Sequence, residues 1–301
     1  MLSNHCIKGD KIMQRKYQIC TRCVMDTTDP DIEFNENGVC NHCRKYDDII
    51  RKNMIPISKR KIELEKIISK IKEEGKGKKY DCIIGLSGGV DSSYVAFLAN
   101  KYKLRPFIVH VDNGWNTKES EENIKNIISK TKFDLIAYKL DWEEFKDLQR
   151  AYLKASVIDI EVLTDHAIAG YIYKVVCNEG IHYVLSGGNF ATESILPKSW
   201  CYTKTDAKNI KAIHKLFGRK EIKKFPFVST LQHLCGNKIT KNIKYIRILD
   251  YIDYNKINAK EILKKEFSWR DYGAKHFESI FTRFYQGYIL PKKFGIDKRR
   301  A

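Results

Sequence analysis

Hydrophobic positions along this chain recur in two rhythms that take turns. Between residues 80 and 186, short apolar runs alternate with longer stretches at helical spacing. Tyr80 to Leu86, Pro106 to Asp112, Asp134 to Asp141 and His182 to Ser186 read as strands. Residues 91–101, 118–131, 143–155 and 165–179 read as helices. The alternation predicts βαβ units, and therefore an α/β fold on a parallel sheet with both faces covered. Upstream, Ile62, Leu64, Ile67, Ile68 and Ile71 carry a helical pattern over 58–74, with Gly75 and Gly77 as stop signals. No apolar run approaches the ~20 residues needed to cross a bilayer. The polar, basic start has no apolar signal region, so a cytoplasmic location is expected.

In an open parallel sheet, ligands bind outside the carboxyl ends of the strands. Three groups of residues follow predicted strands directly. The first is Ser87-Gly88-Gly89-Val90-Asp91-Ser92-Ser93. Gly88 and Gly89 let backbone N–H groups approach an anion, and the helix that follows presents its positive N-terminus to it. Ser87, Ser92 and Ser93 add hydroxyl donors. A carboxylate at Asp91 beside phosphates implies Mg²⁺ between them. The loop is not a Walker loop, which requires a lysine that is absent here. The second group is Asp112 with Asn113, placed to meet a nucleotide, although Asn113-Gly114 also supplies ordinary turn chemistry. The third is Gly187-Gly188-Asn189, with Glu193 beyond it. Gly188 allows close approach to the nucleotide, and Asn189 and Glu193 are placed for substrate or metal; a tight turn accounts equally for the glycines.

The nine cysteines change the picture at the N-terminal end. Cys20-Thr-Arg-Cys23 and Cys40-Asn-His-Cys43 form two CxxC pairs. In a reducing compartment this spacing predicts a tetrahedral Cys₄ zinc site, structural because all four positions are filled by protein. An iron–sulfur cluster could use the same thiolates. His42 is expected to be a bystander. The chain thus divides into a zinc module over 1–50, a basic linker helix over 51–79 and a nucleotide-binding domain over 80–301. The net charge of +18 is concentrated: residues 51–79 hold eleven Lys/Arg against four Glu, and residues 198–247 hold thirteen against one Asp and one Glu. Such stretches suit an anionic partner such as a nucleotide, a sugar nucleotide or nucleic acid, though codon bias alone also yields lysine-rich chains.

The loop SGGVDSS resembles the PP-loop of the N-type ATP pyrophosphatases. Three longer blocks sharpen this. They are Cys20-Thr-Arg-Cys-Val-Met-Asp-Thr-Thr-Asp-Pro30 continuing to Cys43, Trp269-Arg-Asp-Tyr-Gly-Ala-Lys-His-Phe-Glu278, and Leu290-Pro-Lys-Lys-Phe-Gly-Ile-Asp-Lys-Arg-Arg300. Together they resemble the N-acetyl sugar amidotransferases of bacterial surface-glycan assembly, over nearly residues 20 to 300. The resemblance implies an adenine nucleotide alpha hydrolase-like α/β fold with a small zinc module, and ATP, Mg²⁺ and Zn²⁺ as cofactors. It implies conversion of a sugar N-acetyl group to an acetamidino group through an adenylated intermediate. It also implies a separate glutaminase subunit supplying ammonia, with an N-acetylated sugar or nucleotide sugar as substrate.

Departing pyrophosphate needs cations. Lys275 and Lys292 are the expected catalytic pair, beside Asp91, with Lys293 and Arg283 as further candidates. Tyr272 and His276 are expected at the substrate. A PP-loop enzyme of tRNA modification, of thiolase or lysidine synthetase type, is the alternative. It is weakened because no CxxC follows the loop, so nucleic acid is not the expected partner.

Overall fold

The computed structural model describes residues 16–190, 197–229, 242–274, 277–296 and 298. Its centre is a five-stranded, all-parallel sheet. The strands are β1 (Cys82–Gly85), β2 (Pro106–Asp112), β3 (Asp134–Lys139), β4 (Tyr183–Ser186) and β5 (Lys244–Arg247), in the spatial order β3-β2-β1-β4-β5. β1 is central because it can be: Cys82, Ile83 and Ile84 are wholly buried, as a strand covered on both faces requires. In register, Ile83 sits between Phe107 of β2 and Val184 of β4.

All four expected strands form, and the fold is the α/β class anticipated. The expected first strand, Tyr80 to Leu86, is paired only over Cys82–Gly85. β5 is an addition. Its sequence, Lys-Tyr-Ile-Arg, alternates polar and apolar and lies half-buried at the sheet edge. Four residues with two charges carry little apolar signal, and charge on an edge strand discourages pairing with another chain.

Helices cover both faces. They are α1 (Asn41–Asn53), α2 (Ile57–Glu74), α3 (Val90–Lys101), α4 (Lys118–Thr131), α5 (Trp142–Ala155), α6 (Val162–Glu179), α7 (Ala207–Phe217), α8 (Lys256–Phe267) and α9 (Ile280–Phe284). α9 widens into a π-helical segment, Tyr285–Phe294. α2 packs on the sheet: Leu64, Ile68 and Ile71 are buried in the cluster around Ile84, while Ile62 on its other face is exposed. In the cysteine module, Met25 and Ile32 belong to the same hydrophobic cluster as Tyr171 and Val175 of α6, so the module shares a core with the sheet domain.

The strand order places the topological switch between β1 and β4. Connections run to opposite sides there, and the carboxyl ends open a crevice. Two loops meet in it. A Cβ on Gly187, just past β4, would stand 3.1 Å from Ser92 N and from the Asp91 carbonyl carbon, so glycine lets the β4 loop lie close against the start of α3.

Two buried carboxylates of α5 hold the basic segment after α7. Glu144 accepts backbone N–H groups from Lys223, Lys224 and Phe225. Asp147 accepts those of Arg219 and Lys220, and pairs with His214 Nε2 at 2.9 Å. Burial alone would raise the Asp147 carboxyl, but these donors outweigh it and bring it from 3.8 down to about 2. The folded protein therefore binds fewer protons here than the unfolded chain. The group's contribution is full above about pH 3.8 and fades as pH falls toward 2. Asp147→Asn should lower unfolding free energy by about 2 kcal/mol at pH 6. In urea titrations the gap from wild type should narrow below pH 4; a gap unchanged at pH 3 would contradict this origin.

Candidate active site

β1 ends at Gly85, and the chain turns through Ser87, Gly88 and Gly89 into α3. Gly88 makes the turn with φ at +80°, a conformation glycine adopts freely. A side chain there is also excluded by space, because a Cβ would lie 2.3 Å from the Ser120 carbonyl oxygen at the start of α4. The turn is pinned from outside. The Gly88 carbonyl accepts from Trp269 Nε1 at 3.1 Å and from Asn123 Nδ2 at 3.2 Å. Asn123 in turn accepts the Arg270 N–H at 2.7 Å. Inside the loop, Ser87 N–H and Oγ both meet Ser92 Oγ, at 3.2 and 3.1 Å, and Gly89 N–H donates to Ser87 Oγ. These are weak local bonds on groups able to turn to an anion.

A cavity of about 270 Å³ opens over the loop. Ser87, Gly89, Asp91 and Ser92 line one side; Lys256, Lys260 and Tyr272 line the other. Asn255 caps α8, its side chain accepting from the N–H groups of Ile257 and Asn258. Lys256 and Lys260 then fall one turn apart on the same helix face. Lys256 Nζ lies 3.3 Å from Asp91 Oδ2, and the Tyr254 hydroxyl donates to Asp91 Oδ1. Lys260 pairs with Asp271 at 2.9 Å. Burial and then the Asp91 charge push the Tyr254 phenol far up, so it stays a donor. The Tyr272 hydroxyl accepts the Val90 N–H at 3.1 Å, at the N-terminus of α3. Burial and then Glu278 raise the Tyr272 phenol as well.

The donor set suits a nucleoside triphosphate with a hard cation. Hydroxyl and carboxylate oxygens on one side and two ammonium groups on the other match phosphate oxygens and Mg²⁺.

A second cavity, about 480 Å³, adjoins the first; Ser87 and Glu278 line both. Its sheet side is formed by Gly85, Leu86, Val109, His110 and Val111. His110 Nδ1–H donates to the Leu86 carbonyl at 2.8 Å, and Nε2 accepts from Asn116 Nδ2 at 3.2 Å, which sets the tautomer. Its other side carries the charged residues Asp159, Glu161, Asp165, Lys204 and Lys298.

The expected site residues are distributed unevenly over this geometry. Ser87, Gly89, Asp91, Ser92 and Tyr272 line the phosphate-side cavity, and Gly88 shapes the loop. Ser93 is fully buried behind it, with no hydrogen-bond partner for its hydroxyl among the described residues. Asp112 accepts from Gly114 N–H at 2.8 Å and Asn116 Nδ2 at 3.2 Å, and so supports the turn after β2. Gly188 N–H donates to Ser186 Oγ, and Asn189 is buried with its amide on the Gly187 carbonyl; neither lines the two cavities. Lys292, like Lys293 and Arg283, is exposed on or beyond α9 and lines neither cavity. Glu193, Lys275 and His276 lie outside the described residues. Lys256, Lys260 and Tyr254 escaped sequence reasoning. The only signal was an i,i+4 lysine pair behind an Asn cap, and this chain has many lysines.

The cysteine module forms its cluster. Cys23 and Cys40 sulfurs are 3.7 Å apart, Cys20 and Cys43 sulfurs 3.9 Å, and all four lie within 4.8 Å of one another. Tetrahedral Zn–S bonds of about 2.3 Å require sulfurs about 3.8 Å apart, so the residues fit zinc. Backbone N–H groups from Arg22, Cys23 and Cys40 point at Cys20 Sγ at 3.3–3.4 Å. Burial raises that thiol, but these donors outweigh it and bring it to about 6. His42 is turned aside: its Nε2 meets the buried Asp29 carboxylate at 2.5 Å.

No family model matches the chain. An uncharacterized protein of Methanocaldococcus jannaschii is 34% identical over 131 residues, which is 42% of this chain and 45% of that protein. The glutamine-hydrolyzing GMP synthase of Fusobacterium nucleatum is 30% identical over 193 residues, 63% of this chain and 36% of that protein. The chain thus spans less than half the length of the curated relatives it matches. Among solved structures, it is similar to the NH3-dependent NAD synthetase of Campylobacter jejuni, with a TM-score of 0.37 and 16% identity. That similarity covers 71% of this chain and 94% of the other. No described helix is long and apolar enough to cross a membrane.

Two expectations follow. Metal analysis of the purified protein should find one zinc per chain, lost in the Cys20→Ser/Cys23→Ser double variant; retained zinc would mean other ligands. Lys256→Met should weaken ATP binding about tenfold in calorimetry, a loss of about 1.4 kcal/mol. Unchanged affinity would remove Lys256 from the phosphate site.

Proposed function

We propose that the chain is an ATP-dependent amidotransferase that forms AMP and pyrophosphate. It would convert a sugar N-acetyl group to an acetamidino group in bacterial surface-glycan synthesis, with ammonia from a partner glutaminase. The observation that carries this reading is the phosphate-side cavity, where the glycine loop, Asp91 and the Lys256/Lys260 pair face one another next to a second, larger cavity. The similarity to a glutamine-hydrolyzing GMP synthase supports the pairing of ATP with amide nitrogen. A cavity of about 480 Å³ favours a small acceptor over an RNA strand.

In this reading the acetamide oxygen attacks the α-phosphorus of ATP, the α–β bond breaks, and pyrophosphate leaves. Ammonia then adds to the activated carbon. The former acetamide oxygen departs with AMP, and one ammonia proton is lost. An amide oxygen is a poor leaving group, and phosphoryl transfer makes it a good one.

The chain's own residues divide the work. N–H groups of the loop and the α3 N-terminus hold phosphate oxygens. Lys256 and Lys260 neutralise the charge that builds on pyrophosphate. Asp91, oriented by Tyr254, would hold Mg²⁺, which supplies charge neutralisation when bound. The four cysteines would hold zinc for structure only, since no open position remains.

Asp91→Ala should abolish AMP formation, a loss of at least a hundredfold, while thermal unfolding stays near wild type. Turnover like wild type in a folded Asp91→Ala protein would remove its role. The deciding assay supplies ATP, an ammonium salt and a panel of N-acetylated sugar nucleotides. AMP with a product about one mass unit lighter, NH in place of O, is expected. ATP consumption only on addition of tRNA would replace this reading with RNA modification.

A further inference from the structure

We infer that the charged end of the larger cavity is the acceptor subsite, and that it takes an uncharged ring bearing hydroxyl and amide groups; this rests on the reaction proposed above. Asp159, Asp165, Lys204 and Lys298 line this cavity as one connected set, with Glu161 beside them. Lys204 Nζ lies 2.6 Å from Asp165 and 3.4 Å from Asp159. Asp159 Oδ2, the oxygen facing Lys204, also accepts the Tyr202 N–H at 2.8 Å, and Lys298 Nζ lies 3.4 Å from Oδ1. Gln286 donates through Nε2 to Glu161. A carboxylate only accepts, so this contact sets the amide's orientation and leaves Oε1 as a pure acceptor.

Three features make this a built site. First, two of the charges are deep: Asp159 is 1% and Lys298 7% exposed. Buried ion pairs give little stability relative to apolar packing, so holding them beside a cavity points to recognition. Second, Gln286 is 5% exposed, lines the cavity, and its Oε1 has no hydrogen-bond partner among the described residues. A buried acceptor left alone is costly, and a ligand N–H or O–H meets the deficit. Third, the set with Glu161 sums to one negative charge, three carboxylates against two ammonium groups. That balance repels a polyanion such as an RNA backbone. It suits hydroxyl and amide donors, with the two lysines reaching ring and carbonyl oxygens.

Placement fits the chemistry. The charged end and the phosphate side are joined through Ser87 and Glu278, which line both cavities. A ring held among Asp159, Asp165 and Lys204 and a triphosphate held by Lys256 and Lys260 would meet at that junction, where the acetamide oxygen must reach phosphorus. α9 and the π-helical segment after it contribute Thr282 and Gln286 to the cavity wall.

The test uses the full chain and the variants Asp165→Asn and Lys204→Gln. This pair has about 44% and 42% of its side-chain surface exposed, so both variants should fold, which thermal unfolding would check. Saturation-transfer NMR reads binding of N-acetylglucosamine and N-acetylmannosamine. Calorimetry reads binding of α,β-methylene-ATP. Wild type should bind at least one sugar, each variant should lose that signal at least fivefold, and nucleotide affinity should stay within twofold. Nucleotide affinity falling tenfold with the sugar signal intact would assign the charged end to ATP and overturn the inference. So would sugar binding unchanged in both variants, or no sugar signal from wild type. Sugar binding lost in the variants, with a wild type that forms no amidine, would uphold the subsite and refute the reaction instead.

Discussion

The turn after the central strand is the constraint on which the rest of this structure depends. At Gly88 the chain must reverse with a positive φ while its α-carbon presses on the Ser120 carbonyl. No side chain satisfies both demands. Around this point the fold assembles partners from distant parts of the sequence: Asn123 of α4 and Trp269 beyond α8 both hold the Gly88 carbonyl. Gly187 lets the β4 loop close against Asp91 and Ser92 from the other side. The loop is thus fixed through its carbonyl and α-carbon, while its N–H groups at Ser87, Gly89 and Val90 meet only hydroxyls, which an anion can displace.

Charge in this protein matters by position more than by amount. The two basic stretches that carry the +18 excess supply neither lysine of the phosphate-side cavity. Much of the second stretch is answered locally: Lys220 pairs with Glu143, Lys223 with Glu221, and Lys224 with Asp141. Such exposed pairs contribute little stability. Lys256 differs because its partner is Asp91, itself a residue of the loop, so the same ammonium that balances a carboxylate in the free protein stands ready for phosphate oxygens.

The two cavities divide recognition along the same lines. The phosphate side is the smaller, sets Lys256 and Lys260 against Asp91 and Glu278, and is faced by a helix N-terminus. The larger cavity runs from apolar strand ends at Leu86, Val109 and Val111 to a connected set of buried charges at Asp159 and Lys298. Their meeting at Ser87 and Glu278 gives a common point for a nucleotide and a second substrate.

The sequence by itself determined the strand–helix alternation, the loop after β1 and the four cysteines. Each is encoded locally: periodicity over ten or so residues, a glycine turn between a strand and a helix, and two knuckles with two thiols each. β5 was not legible, because four half-buried residues at an edge have no distinctive pattern. Only the tertiary structure decided which cations face the loop. Lysines at 256, 260 and 292 look alike along the chain, and the packing of α8 against α3 brings Lys256 to Asp91 and Lys260 into the same cavity, while the segment after α9 leaves Lys292 in solvent. The same holds for Asp159, Lys204 and Lys298, which are up to 139 residues apart and become one cluster only when the chain folds.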